Sequence, residues 1–471
     1  MADFLAVDLG ATSGRVAIGR VRDGRIDLEI AHRFQHEVIT SDNGSIFWNW
    51  NFIVQEVLRG LKVALQICQP ISLAIDSWAV DYGLIGEFGD VLSPIYAYRD
   101  PRTELTFKEI TARIGRERIY ASTGIQFLPI NTIYQLNSAI GSDEYEKAQS
   151  FLLLPDLLNY ILTGEKSTEV TNASTTQLLR SSTRNWDAGL IELVGLRKET
   201  FTKLHEAGAL IGRIRGHAGL NGIKVVATAS HDTAAAIAGI PFHHRESEGY
   251  ISSGTWSLVG IESDIPFISE ASSKVNLTNE LGVYNTVRVL KNVTGMWLLE
   301  ECRRDWKSKG NEYSMTELLT LAEKNLDFPT IINPNDPRFT LPGLMTSRIT
   351  AYCFEKSLSA PTTPGEFTAT ILKSLAIAYR DTLRDIESIT SYTLDTLHIL
   401  GGGSQIPLLN QLTANACELS VRTGPVEATL FGNIAVQAIS AGVISDISAA
   451  RAMIANSFES IEFKPIGRVK A

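Results

Sequence analysis

At 471 residues the chain exceeds the ~250–300 residues at which a single hydrophobic core stops growing, so two domains are expected. Hydrophobic residues make up 44% and charged residues 20%, a balance that excludes a disordered or low-complexity chain. The formal net charge of −9, with no clustering of Lys and Arg, excludes a nucleic-acid surface, although local groups can still hold a phosphorylated ligand.

No apolar run approaches the ~18 residues needed to span a bilayer, and Met1-Ala2-Asp3 does not open a secretory signal. A cytoplasmic protein without membrane contact is expected. Cys68, Cys302, Cys353 and Cys417 lie far apart with no Cys-x-x-Cys pair, which reads as small apolar residues rather than a disulfide framework or zinc site. No motif specifies an oligomeric state.

In chain order, residues 4–7 form a short apolar run, and residues 16–21 form a second after a Gly-rich turn. Asp23-Gly24 is a hairpin signal, after which Ile26, Leu28 and Ile30 alternate with polar residues, predicting three antiparallel strands. Ile53, Val57, Leu58, Leu61 and Leu65 are spaced for one helical face. Residues 71–75 return to strand, ending at Asp76. Three strands, a helix and a strand predict an α/β domain.

The polar stretch at residues 243–248 reads as a linker and divides the chain into domains at 1–244 and 245–471. The second half opens as the first does: Tyr250-Ile251, a Ser/Gly turn, then an apolar run over 256–261. Phe367, Ile371, Leu375, Tyr379, Leu383 and Ile386 mark a long amphipathic helix. The strand at 397–400 runs into Gly401-Gly402-Gly403. One architecture is used twice, with no repeat at solenoid spacing.

Four motifs carry chemistry. In Asp8-Leu9-Gly10-Ala11-Thr12-Ser13-Gly14-Arg15, two glycines allow a tight turn, while hydroxyls and successive N–H groups suit phosphate oxygens. Arg15 can neutralise phosphate charge, and Asp8 can hold Mg²⁺ directly or through water. A plain hairpin turn would also use these glycines. Ser252-Ser253-Gly254-Thr255-Trp256-Ser257 is the corresponding turn of the second half. Gly401-Gly402-Gly403-Ser404 lets a flat ring or a phosphate lie on the backbone near a helix start. It is no dinucleotide fingerprint, because Ile406 stands where a third glycine belongs. No G-x-x-x-x-G-K-[ST] loop exists. In Ser230-His231-Asp232-Thr233 the aspartate can accept a proton from a hydroxyl, or it can cap the helix that follows. A hydrolase triad is excluded, since consecutive residues cannot all converge and no G-x-S-x-G elbow exists. Asp76, Trp78, Asp81, Asp100, Arg102, Gln126 and Asn292 are further candidates for contact with a sugar. His32 and His36 have metal spacing, but the segment reads as extended rather than helical.

Together these stretches resemble the FGGY carbohydrate kinases of the actin–hexokinase–Hsp70 superfamily. Residues 5–15 and 252–256 are similar to that family's two phosphate motifs, and 401–403 to its adenosine motif. Finer stretches resemble its rhamnulokinase branch: 98–100, 122–135 (STGIQFLPINTIYQ), 155–156, 171–177 (TNASTTQ), 230–233, 252–257, 290–292, 333–336 and 424–428 (GPVEA), in the same order along nearly the whole chain.

The resemblance implies two ribonuclease-H-like (actin-like ATPase) domains with an interdomain catalytic cleft, sugar held mainly by the first and ATP mainly by the second. It implies Asp232 as catalytic base; Ala11, Thr12, Ser13, Gly14, Arg15, Thr255, Glu300 and Gly402 at ATP; and Ala79, His231, Asp232, Thr233 and Asn292 at the sugar. With Mg²⁺ near Asp8, the implied reaction phosphorylates the 1-hydroxyl of L-rhamnulose. Ala79 stands where that branch carries glycine, and Glu300 where it carries glutamine. L-fuculose and L-xylulose are alternative substrates. A nucleotide-driven binding protein on the same scaffold is the alternative of another class.

Overall fold

The structure is a computed structural model that describes residues 2–466. The three expected N-terminal strands are β1 (Ala2–Leu9), β2 (Ser13–Arg22) and β3 (Arg25–Gln35). β1 pairs antiparallel with β2, Leu5 opposite Ile18 and Val7 opposite Val16, and β2 pairs antiparallel with β3. Asp23 and Gly24 both take positive φ, 50° and 72°, the twist that a two-residue hairpin needs and the reason Gly follows Asp there. The helix Trp50–Ala64 buries Ile53, Val57 and Leu61.

β4 (Ser72–Ser77) lies parallel to β1. β5 (Leu210–Arg213) and β6 (Lys224–Val226) complete a sheet in the order β5-β6-β4-β1-β2-β3. β1 is buried on both faces, which explains its unbroken apolar run. Leu5 and Val7 join a core with Ile53, Val57 and Leu157. Phe4 and Ala6 join another with Leu430, Phe431 and Ile434, from the helix Ala428–Ser440.

The second sheet contains β7 (Glu248–Ser253), β8 (Trp256–Ser263), β9 (Thr278–Leu281), β10 (Val287–Thr294), β11 (Thr396–Leu400), β12 (Ser420–Thr423) and β13 (Glu462–Phe463). Its order is β9-β10-β8-β7-β11-β12-β13. β7 is antiparallel to β8 and parallel to β11, and β11 is parallel to β12. The run β10-β8-β7-β11-β12 repeats β3-β2-β1-β4-β6, so the architecture occurs twice, as the sequence suggested. The polar stretch before β7 ends inside this sheet. Glu248 is buried and accepts from His243 N and His244 N, with His398 Nε2 at 2.9 Å. Burial opposes its charge, but the His398 contact brings its pKa down to about 2.

The long helix Pro364–Thr390 starts in a Thr363/Glu366 capping box and buries the whole stripe from Phe367 to Ile386 that its sequence period marked. In space the chain forms two compact units. One holds the residues up to Pro241 with Glu262–Val289 and Glu427–Glu459. The other holds Phe242–Ile261, Leu290–Val426 and the last described residues from Ser460. Among the described residues no helix is long and apolar enough to cross a membrane. All four cysteines are unpaired; Cys68, Cys302 and Cys353 are buried and Cys417 is half-buried.

Candidate active site

In the first unit, acidic side chains gather where the central strands end. Asp8, near the end of β1, lies beside Asp76 of β4 in the parallel register. Asp232 opens the helix Asp232–Ala238. The segment before it is tied to the end of β4, where Ser77 N donates to Ser230 O at 2.9 Å and Ser77 bridges to His231. Burial first, and then the negative charge of Asp8, hold the carboxyl of Asp76 well above the ordinary aspartate range. Asp232 is also raised by burial, with His231 opposing and Asp8 adding to the shift. Asp76 Oδ2 accepts from Asn433 Nδ2 at 2.6 Å, whereas its Oδ1 is buried without a hydrogen-bond partner.

The turn after β1 is closed by Gly10 N donating to Ser13 O at 2.8 Å. Thr12 is exposed, and Ala11 and Ser13 are half-buried. His36 braces this turn: its backbone N donates to Thr12 O, and its Nε2 lies 2.9 Å from Gly10 O. His32 instead meets Glu56 at 2.7 Å, so the two histidines bind different groups. A Cβ at Gly14 would sit 2.3 Å from the Phe34 ring, so internal packing alone requires glycine there. Arg15, opposite Asp8 across β1 and β2, donates from Nε to Asp8 Oδ2 at 2.9 Å and also pairs with Glu427.

Asp232 is the first residue of its helix, and His231 occupies the cap position without a side-chain cap bond. Asp232 is therefore not at the cap position, although its carboxylate satisfies one first-turn N–H. Its Oδ1 accepts from Thr233 N at 2.6 Å and Thr233 Oγ1 at 3.2 Å, and 29% of the side chain is exposed. His231 is buried, its Nε2 3.4 Å from Asp232 Oδ1. Behind it lies a buried ion pair, Glu280–Arg288, with 3.0 Å between Arg288 Nη1 and Glu280 Oε2. Glu169 anchors the loop from below, its Oε2 accepting from Ser230 N at 3.0 Å and Ser230 Oγ at 2.8 Å. Asp156 accepts from Glu169 N, and burial followed by the nearby Glu169 charge raises its carboxyl well above the ordinary range.

Ala79 is half-buried between Trp78 and Val80, whose φ of 69° is unusual for a β-branched residue. Thr132 Oγ1 donates to Val80 O at 2.7 Å and holds that conformation. Asp81 Oδ2 accepts from both Trp48 Nε1 and Trp78 Nε1, and its Oδ1 accepts from Gln135 Nε2. Burial pushes its pKa up to about 6 against these donors. Asp100 accepts from Ile46 N and Arg102 N, and Arg102 reaches Ser138 and Gln135. Asp81, Asp100 and Arg102 are thus each engaged in internal hydrogen bonds.

In the second unit, Gly254 and Thr255 form an exposed turn between β7 and β8. Gly254 O accepts from Met296 N, and Thr255 O accepts from Gly295 N, docking the turn at the start of the helix Trp297–Ser308. Glu300 lies in the first turn of that helix and meets Arg303 at 2.7 Å. The Gly401–Gly403 segment abuts the same turn, since a Cβ at Gly403 would lie 2.0 Å from Ser253 Oγ. A Cβ at Gly402 would meet nothing within 4 Å. Asn292 is half-buried in β10. The Ser/Gly turn and the triple glycine, more than a hundred residues apart in sequence, are thus neighbours.

Sequence reasoning missed Glu169, Glu280, Arg288 and Asn433. Glu169 lies two residues before the start of the quoted stretch 171–177, and that was the available signal. The other three carried no local pattern pointing to the site.

Residues 4–239 match the model of the FGGY family of carbohydrate kinases, N-terminal domain, and 249–441 match its C-terminal domain. The chain is 40% identical over 470 residues to a rhamnulokinase of Ligilactobacillus salivarius, covering 99% of this chain and 96% of that one. It is 39% identical over 467 residues to a rhamnulokinase of Bacillus subtilis, covering 98% and 95%. Its fold is similar to a ligand-bound xylulose kinase from Lactobacillus acidophilus, with a TM-score of 0.79, 16% identity, and coverage of 99% and 94%. Plasmodium falciparum glycerol kinase with ADP is similar with a TM-score of 0.79 at 14% identity, covering 99% and 94%.

Proposed function

This chain belongs to the FGGY family of carbohydrate kinases, and from that premise we propose that it transfers the γ-phosphoryl group of ATP to the 1-hydroxyl of L-rhamnulose, giving L-rhamnulose 1-phosphate and ADP. The observation that carries the chemistry is Asp232, a partly exposed carboxylate at the sheet end with a raised pKa. A carboxylate tuned upward is a better proton acceptor for a sugar hydroxyl at neutral pH. The choice of sugar is supported by the names of the full-length relatives.

In this reading Asp232 takes the proton as the hydroxyl oxygen attacks the γ-phosphorus. Thr12 and Ser13, the N–H groups of residues 11–15, and Thr255 hold phosphate oxygens; Gly402 leaves backbone open to the adenosine; Arg15 and Glu300 line the nucleotide. Ala79, His231, Thr233 and Asn292 contact the sugar. Residues 1–244 serve mainly the sugar and 245–471 mainly ATP. The protein works in the cytoplasm, where ATP is available.

The carboxylate of Asp8, with the unpartnered buried Oδ1 of Asp76 next to it in the register, suits a hard cation that keeps most of its waters. No group of three His, Cys, Asp or Glu side chains among the described residues can hold a metal alone. Asp8 would hold Mg²⁺, directly or through water, together with substrate phosphates, and the ion would supply neutralisation of phosphate charge. Asp8→Asn is expected to depress turnover and shift the Mg²⁺ titration to higher concentration, with sugar affinity little changed. An unchanged titration removes Asp8 from this role.

The deciding experiment is a coupled ADP-release assay with L-rhamnulose, L-fuculose and L-xylulose, in which L-rhamnulose is expected to have the highest kcat/KM. A higher value for either other ketose would overturn the substrate while leaving the kinase. Run on Ala79→Gly, the same panel is expected to change KM for L-rhamnulose more than kcat, within the ~10–200-fold that one methyl group can contribute. Unchanged sugar profiles with a lowered Tm would make Ala79 a packing residue.

A further inference from the structure

We propose that the buried pair Glu280–Arg288 fixes the tautomer of His231, so that His231 presents its Nε2–H towards Asp232 and favours the carboxylate orientation for proton transfer. Arg288 is then a positioning residue for the phosphoryl transfer, acting through His231. This rests on the reading of Asp232 as the base.

The argument runs through donors and acceptors. Arg288 is completely buried. Its Nε donates to Leu281 O at 3.2 Å, and its Nη2 lies 3.1 Å from His231 Nδ1. A guanidinium has only donors to offer. His231 Nδ1 must therefore be the bare, accepting nitrogen, which leaves the ring proton on Nε2. Nε2 faces Asp232 Oδ1 at 3.4 Å.

Glu280 Oε2 also approaches Nδ1, at 3.4 Å, and alone it would draw a proton there. Arg288 is nearer. Burial works against the charge of Glu280, but Arg288 first, and then the His231 contact, hold that carboxyl below the ordinary range, with Arg288 Nη1 3.0 Å from Glu280 Oε2. The groups around the ring are thus Glu280 and Arg288 behind it and Asp232 in front, with the Asp8 charge acting on Asp232 from beyond.

The result is asymmetric at Asp232. Thr233 N and Thr233 Oγ1 both donate to Oδ1, and His231 Nε2 faces the same oxygen at 3.4 Å. Among the described residues no donor reaches Oδ2. One oxygen is pinned and the other is left for the proton of a substrate hydroxyl. A carboxylate free to rotate would spend part of its time with neither oxygen aimed at that proton, and a misplaced group loses rate steeply.

The test is ¹⁵N NMR of the full chain labelled at histidine, with the His231 signals assigned by their loss in His231→Gln. At neutral pH, Nε2 is expected to be protonated and Nδ1 bare. In Arg288→Met, Glu280 is left to attract a proton to Nδ1, and kcat is expected to fall on the order of 10–100-fold, the usual cost of losing a partner that orients a reactive group, with KM for ATP unchanged. Arg288→Lys keeps one donor and should retain the parental tautomer and most of the turnover.

If Arg288→Met does not fold because Glu280 is stranded, the double variant Glu280→Gln/Arg288→Met removes both charges. It is expected to lose the tautomer preference and the same share of kcat. A parental His231 protonated on Nδ1 overturns the proposal, as does loss of Arg288 with tautomer and kcat unchanged. An Asp232→Asn protein with full turnover would remove the base but leave the NMR assignment intact, so the two failures are distinguishable.

Discussion

Asp232→Asn is expected to lower kcat by about 10²–10⁴-fold, the usual contribution of a positioned acid–base group, while ATP still binds. The amide keeps the shape of the carboxylate and can still accept the 2.6 Å bond from Thr233 N, but it cannot take up the proton of an attacking hydroxyl. Helix capping predicts a different outcome, because losing a cap costs about 0.5–2 kcal/mol of stability. Here the cap position belongs to His231.

The raised pKa of Asp232 sets the sign of any stability change. A carboxyl whose pKa is higher in the folded than in the unfolded state favours folding at low pH. That contribution is lost as pH rises through the folded value. Once ionised, Asp232 therefore costs stability, and Asn removes the cost. The variant should melt no lower than the parent at neutral pH, while the parent's kcat/KM falls on acidification as the base becomes protonated. Near-normal turnover with a lower Tm would reduce Asp232 to a structural residue.

The second large effect is expected at Gly432, far from Asp232 in sequence. The helix Ala428–Ser440 packs against the helix Asp232–Ala238 with their backbones in close approach at Gly432 and Gly239. A Cβ at Gly432 would lie 1.8 Å from Ala235 O, and one at Gly239 would lie 2.4 Å from Ala428 O. No rotamer relieves a clash with backbone. Alanine normally gains ~1 kcal/mol over glycine inside a helix, but forcing extra volume into a packed contact typically costs about 1–3 kcal/mol, and occasionally more.

At 1.8 Å the clash wins, and Gly432→Ala is expected to be destabilising in urea or thermal melts, with Gly432→Val worse. Separating the helices also moves the element that begins at Asp232, so kcat should fall in the protein that remains folded. A Gly432→Ala protein with the parental melting transition and kcat would show that the two helices separate without cost.

The sequence by itself determined what depends on local period and turn chemistry. The alternation over β3, the hairpin at Asp23-Gly24 and the buried stripe of the helix Pro364–Thr390 are encoded within a few residues of each element. So is the reuse of one strand–turn–strand opening at β1–β2 and β7–β8, and the order of its motifs along the chain carried the family.

Tertiary structure alone decided which distant groups meet. Asp76 becomes a strongly perturbed acid because β4 lies parallel to β1 and brings Asp8 alongside, while Asn433 reaches it from a helix some 350 residues later. Glu169 finds Ser230 across sixty residues. In Val287-Arg288-Val289 the alternation marks Arg288 as facing water, yet it is wholly buried between two buried valines. Burial of that charge is possible only because Glu280 and His231 meet it there. A pattern of period two records which residues share a face. It does not record whether that face meets solvent or a counter-charge, because the partners come from other segments of the chain.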